Sequence, residues 1–292
     1  MGRSSAFLWA SVSGVACVVG LAILAAVLPS SAIPAGFSRG DQCEHLNLQS
    51  SVMEFENTWS NIGYLYVGLL ILFRNATLSR LYPLCFGISM VALGLFSGLY
   101  HAQPAKDFYR HLDVATIYWV LPILSAYAVY GLFFRTPSVE DDSQAQRIRN
   151  IAMVIFLASL GTAFAFLSII SSDILAGGLI LLVGVLMGFA LFTGKTATPL
   201  NDGEKAYYIT LSAVMLVSSG FCRLFDGRDC KLVNNVTVCS DKLLCSEFSP
   251  VQAHALWHIL SACALFLAFE FFARVFQDGS RVIPVFRTVG DE

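Results

Sequence analysis

The chain has 292 residues, 56% of them hydrophobic and only 13% charged, with a formal net charge of -2 and a mean hydropathy of +0.68. That composition excludes a water-soluble domain, and the lack of any basic cluster excludes a nucleic-acid-binding surface. The 23 Phe and 10 Tyr suit helices that face lipid.

A helix needs roughly 20 apolar residues to cross a bilayer core. In chain order, apolar segments fall at 7–28, 51–73, 81–101, 114–134, 151–170, 174–192, 206–222 and 251–272. The first follows a short basic start at Arg3 and precedes Ser30-Ser31-Ala32, a small-x-small pattern. It reads as a cleaved signal peptide or as an extra anchor helix over residues 1–32. The other seven segments predict an all-α membrane protein, a seven-transmembrane bundle over 33–277 with a short cytosolic tail at 278–292.

With the N-terminus starting in the cytosol, segment 31–49 is lumenal or extracellular and the helices alternate from there. Eleven of the 18 Lys and Arg then face the cytosol, among them Arg74, Arg80, Arg135, Arg147 and Arg149, and the other seven face the lumen. The cysteines agree. Cys17, Cys85 and Cys263 lie within helices, whereas Cys43, Cys230, Cys239 and Cys245 fall in lumenal segments, with Cys222 at the edge of one. Cysteines gathered on one side suit disulfides in an oxidising compartment. The glycosylation sequon Asn235-Val236-Thr237 lies on that side too, whereas Asn75-Ala76-Thr77 faces the cytosol.

The odd polar residues collect at the lumenal helix ends. Glu54 and Asn57 begin the first bundle segment, Ser97 and His101 end the second, Asp113 begins the third, and His254 and His258 begin the seventh. Ionisable groups inside membrane segments are costly and mark functional sites by default. His254 and His258 stand one helical turn apart and point the same way. With His101 they supply three imidazoles, enough for an open zinc site that keeps a fourth position for water. Zinc brings the pKa of such a water towards about 7. Ser97 shares a helix face with His101 and can hydrogen-bond that water or a developing oxyanion. Asp113 can take the water's proton and return it to a leaving group.

Plainer readings stand beside these. His45 and His111 read as interfacial histidines, Ser97 as a packing residue, and Asp113 as a helix cap. Glu270 stands four residues before Arg274 at the cytosolic end, a pair that can snorkel to the interface. A second cluster, Asp41, Glu44, Asn47 and Glu54, offers hard oxygen ligands of the kind calcium takes, but not at EF-hand spacing. From spacing alone it reads first as a solvated acidic loop ending in a helix cap.

The run Asp41-Gln42-Cys43-Glu44, then Glu54-Phe55-Glu56-Asn57-Thr58-Trp59-Ser60-Asn61, resembles the alkaline ceramidases, whose pattern is D-x-C-E followed by E-F-x-N-T-x-S-N. Ser97-x-x-x-His101, Leu112-Asp113 and His254-Ala255-Leu256-Trp257-His258 match the family's remaining blocks in order, so the resemblance spans 41–272. The wider superfamily includes adiponectin-type receptors and lipid-remodelling hydrolases. The chain is one residue shorter than the family pattern between Cys43 and Glu54 and one longer between His101 and Asp113. The N-terminal segment and the Cys-rich loop are additions that mark a divergent branch.

The resemblance implies a membrane amidase that cleaves ceramide into sphingoid base and fatty acid. It implies zinc on His101, His254 and His258, with Asp113 as acid and base and Ser97 supporting the water or oxyanion. It also implies calcium on Asp41, Glu44, Asn47 and Glu54 with the Gln42 carbonyl, reversing the plain reading of the acidic cluster. Cys43 is implied to pair with a cysteine of the 222–245 region. The expected setting is the endomembrane system, ER or Golgi, or else the cell surface, with the site facing the lumen and a ceramide-type lipid as partner. The competing functions are an adiponectin-type receptor, a phospholipase or esterase of the same superfamily, and a channel or transporter with packed histidines.

Overall fold

A computed structural model describes residues 52–74, 81–104, 106–134, 144–167, 172–193, 201–226, 228–233, 236–241, 243–244 and 252–276. The N-terminal segment 1–32, the tail 278–292, His45, and Cys43 with Asp41, Gln42, Glu44 and Asn47 lie outside the described residues.

The bundle is helical. In chain order it comprises α1 (Phe55–Ser60), α2 (Ile62–Arg74), α3 (Leu81–Ala102), α4 (Asp107–Val129, continued by a π turn at Tyr130–Phe134), α5 (Gln144–Leu167), α6 (Ser172–Thr193), α7 (Asp202–Phe225) and α8 (Ala253–Val275). Among the described residues, six helices are long and apolar enough to cross a membrane. The segment expected at 51–73 is divided instead into α1 and α2 at Asn61. The cause is local. The Thr58, Ser60 and Asn61 side chains all donate to backbone carbonyls of Glu54 and Asn57, in competition with the helix ladder.

Between α7 and α8 the chain departs from the all-helical expectation. Strands β1 (Arg228–Val233) and β2 (Val236–Asp241) pair as an antiparallel hairpin with Cys230 opposite Cys239 in register. The sequon Asn235-Val236-Thr237 begins at residue 235, between the two strands in sequence. Cys85, Cys222 and Cys263 are free thiols, which removes Cys222 from the partners open to Cys43. Cys245 and the side chains of Cys230 and Cys239 are not described.

Packing follows the small residues. A Cβ on Gly68 of α2 would lie 2.7 Å from the Val91 nitrogen and 2.8 Å from the Gly87 carbonyl oxygen of α3. One on Gly94 of α3 would lie 2.7 Å from Leu65 Cγ. Glycine therefore lets the two backbones approach to contact, as in other membrane helix pairs. That approach carries the chain before α1 alongside the end of α3, where Glu54 N–H donates to the His101 carbonyl at 3.3 Å. Helix α4 packs on α3, α5 and α6, while α8 packs on α7, α1, α2 and α6.

The apolar core fills the half of the bundle away from the histidines. Phe86 and Phe269 stack at 5.2 Å beside Ile71, Leu124, Phe271 and Phe272, all buried. At that end Glu270 does not pair with Arg274 as expected. Arg74 at the end of α2 grips it with two nitrogens, at 2.7 and 3.3 Å. Arg274 turns instead to Glu204 of α7 at 3.2 Å. Burial explains the exchange, since Glu270 faces the bundle interior, where a bidentate guanidinium from another helix satisfies it better than a solvated neighbour.

Burial also separates two kinds of helix. Half or more of the apolar window is buried in α3, α4 and α8, but only 11% in α5, 22% in α6 and 17% in α7. Apolar side chains exposed on that scale suit lipid rather than water. Gly68→Val is expected to lower bundle stability by about 1–3 kcal/mol through overpacking. Gly184→Ala on α6, where a Cβ meets nothing within 4 Å, should leave stability unchanged or slightly raised. Thermal melts of both variants in detergent check this contrast.

Candidate metal centre

His101 ends α3, and His254 and His258 occupy the first two turns of α8, a helix whose start lies at the same end of the bundle. All three are buried. Their rings stand at the corners of a near-equilateral triangle, with centroids 4.9 Å apart for His101 and His254, 5.0 Å for His101 and His258, and 4.7 Å for His254 and His258.

Each ring has an oxygen at Nδ1. Glu54 Oε2 lies 2.5 Å from His101 Nδ1 and also accepts from Asn57 Nδ2 at 3.3 Å. Ser60 Oγ lies 2.8 Å from His258 Nδ1. Asp226 Oδ2 lies 3.2 Å from His254 Nδ1, at ion-pair distance but off the line of a full hydrogen bond.

These partners decide the tautomers. An ionised carboxylate only accepts, so His101 carries its proton on Nδ1, and the nearby Asp226 carboxylate favours the same tautomer of His254. Ser60 has a single proton and donates it to the Asn57 carbonyl at 3.0 Å, so it too accepts from the ring. In that tautomer each imidazole presents an Nε2 lone pair that a metal can use.

That arrangement fits a metal. His258 Nε2 is buried and has no hydrogen-bond partner, a costly state for a polar atom unless a ligand completes it. One ligand atom from each histidine can be chosen so that all three lie within 4.8 Å of one another. No other described group of three His, Cys, Asp or Glu is so placed. Three imidazoles with oxygen groups near Nδ1 fit the donor set that an open zinc site takes.

Ser97 is buried on α3, one turn before His101. Asp113 is half-buried in the second turn of α4, six residues past the start of the helix, so it is not the cap that the plain reading allowed. The Tyr64 ring packs edge-on to His258 at 5.9 Å. Tyr64 Oη in turn bonds Ser261 Oγ, which lies three residues past His258. Glu54 occupies the N-cap position of α1, yet its side chain makes no cap bond and turns to His101. His111 is apart from the cluster, packed on Phe166.

Sequence reasoning missed Ser60, Asp226 and the link from Glu54 to His101. One signal pointed to Asp226, since it closes an apolar segment at the same membrane face as the histidines. Ser60 stands in the E-F-x-N-T-x-S-N block, but its pairing with His258 exists only in three dimensions.

The family profile described as ceramidase matches residues 36–281. A search of curated proteins gave no match. The purified protein should hold close to one zinc per chain by elemental analysis. His258→Ala should bring that close to zero, and Glu54→Gln should weaken zinc affinity by about 10–100-fold.

Proposed function

The chain belongs to the ceramidase family, and on that premise we propose that it is a zinc-dependent membrane amidase hydrolysing ceramide to sphingoid base and free fatty acid. The carrying observation is the buried triangle of His101, His254 and His258 with its orphaned Nε2. When bound there, zinc supplies a water acidic enough to act as a nucleophile near neutral pH.

This chain's residues do the rest. Asp113 takes the proton of the attacking water as the new C–O bond forms. It returns that proton to the sphingoid nitrogen as the amide C–N bond breaks, since an amine leaves poorly unless protonated. Ser97, on the same helix face as His101, donates to the carbonyl oxygen as it gains charge. Glu54, Ser60 and Asp226 hold the imidazole tautomers. The lipid enters sideways or from the lumenal leaflet, with its chains among Phe and Leu side chains.

Calcium on Asp41, Gln42, Glu44, Asn47 and Glu54 forms the second part of the proposal. Support comes from Glu54, which belongs to the acidic set and also bonds Nδ1 of His101. Calcium there would brace the start of α1 against the metal centre. The site is assigned to the lumenal side of an endomembrane compartment, where the cysteine and Lys/Arg distributions favour it.

The test is a lipid hydrolysis panel on purified protein. Ceramide should release fatty acid, phospholipid and glycerolipid should not, and a zinc chelator should abolish the release. Asp113→Asn should lower kcat by about 10²–10⁴-fold. Calcium removal should lower activity with zinc still bound. Equal background release by wild type and His258→Ala would exclude the enzyme and favour a receptor, while preferred cleavage of phospholipid would favour an esterase.

A further inference from the structure

We propose that Asp226 is a positioning residue for the metal centre, holding His254 with Nε2 turned toward the cation and tying that hold to the hairpin between α7 and α8. The inference rests on the zinc reading above and assigns a role to a residue outside the family blocks.

The placement of Asp226 calls for an explanation. It is 4% exposed and sits one residue past the C-terminal end of α7. A carboxylate there faces the negative end of the helix dipole and has lost most of its water, and both effects oppose it. What offsets them lies across the site. Asp226 Oδ2 is 3.2 Å from Nδ1 of His254, the second residue of α8, so the carboxylate meets the positive end of that helix and a ring N–H together. A cation on Nε2 strengthens that N–H as a donor and adds positive charge beyond the ring, which gives the buried carboxylate a reason to be there.

The backbone fixes its position. Asp226 N–H closes α7 onto the Cys222 carbonyl at 3.0 Å, and ψ of 152° then turns the chain out of the helix. Immediately before it, the Phe225 carbonyl accepts from Leu244 N–H at 3.1 Å, which joins the chain entering the hairpin to the chain leaving it. The Asp226 carboxylate is therefore held at the base of the hairpin. Glu54 and Ser60 bring the start of the bundle to the histidines, and Asp226 brings α7.

The test uses the full-length protein in detergent, with Asp226→Asn and Asp226→Ala. Zinc affinity is read by competition against a chelator of known affinity, and the metal-free thermal midpoint is measured separately. Asp226→Ala should bind zinc about 10–100-fold more weakly than wild type, with a metal-free midpoint close to wild type. Asp226→Asn keeps an acceptor and loses the charge, so it should fall between the two. It is nearly isosteric and carries the test if Asp226→Ala does not fold. Wild type holding one zinc per chain, with both variants within twofold of it, would overturn the role of Asp226 and leave the zinc reading intact. A metal-free midpoint that drops in both variants, with zinc affinity unchanged, would make Asp226 a purely structural cap. Wild type that takes up no zinc would overturn both readings.

Discussion

A neutral imidazole buried in an apolar bundle has two nitrogens to satisfy, and the arrangement of one end of this protein follows from that need. One nitrogen must give its proton to an acceptor, or the ring carries the cost of an unmade hydrogen bond in a low-dielectric interior. Glu54 and Ser60 meet two of the rings in this way and Asp226 lies at ion-pair distance from the third, and each arrives on a different part of the chain from its histidine. Meeting the need thus draws α1, α3, α7 and α8 together at one end. On His258 the other nitrogen, Nε2, is buried without a hydrogen-bond partner.

The two ends of the bundle solve different problems. Away from the histidines, stacked aromatic rings and a bidentate Arg74–Glu270 pair make a closed core, with the charge compensated between helices. At the histidine end, polar groups are buried without all being satisfied, and a polar cluster of that kind is stable only if something completes it. Helices α3, α4 and α8 share both ends. Helices α5, α6 and α7 leave most of their apolar surface outside, as a bundle surrounded by lipid allows. Tight glycine-mediated contact between α2 and α3 belongs to the same economy of packing, since in lipid close approach of backbones replaces the hydrophobic effect as the source of helix association.

Much of this was legible in residue order. Long apolar runs mark the helices because backbone polar groups in a bilayer must be satisfied within the segment. The i, i+4 spacing of His254 and His258 marks one face because helical geometry is local. Asp113 and Ser97 were visible for the same reason, as polar residues at helix ends where apolar ones would cost less. The break at Asn61 was also written locally, in Thr58, Ser60 and Asn61, but these are ordinary residues in ordinary number and acquire meaning only once their carbonyl partners are seen. The hairpin of 228–241 was hidden by its cysteines, which read equally well as part of an irregular loop.

By itself the sequence determined the helical segments, the three histidines and the motif blocks that resemble a ceramidase, because spacing and composition act over a few residues. Only the tertiary structure decided what each group touches. Glu270 chose Arg74 over its near neighbour Arg274 because the interior favours a partner from another helix. Glu54 became the acceptor for His101 rather than a cap because the close packing of α2 on α3 brings its side chain to the ring. Ser60 and Asp226 joined the histidine cluster across separations of 198 and 28 residues, distances over which no local periodicity carries information.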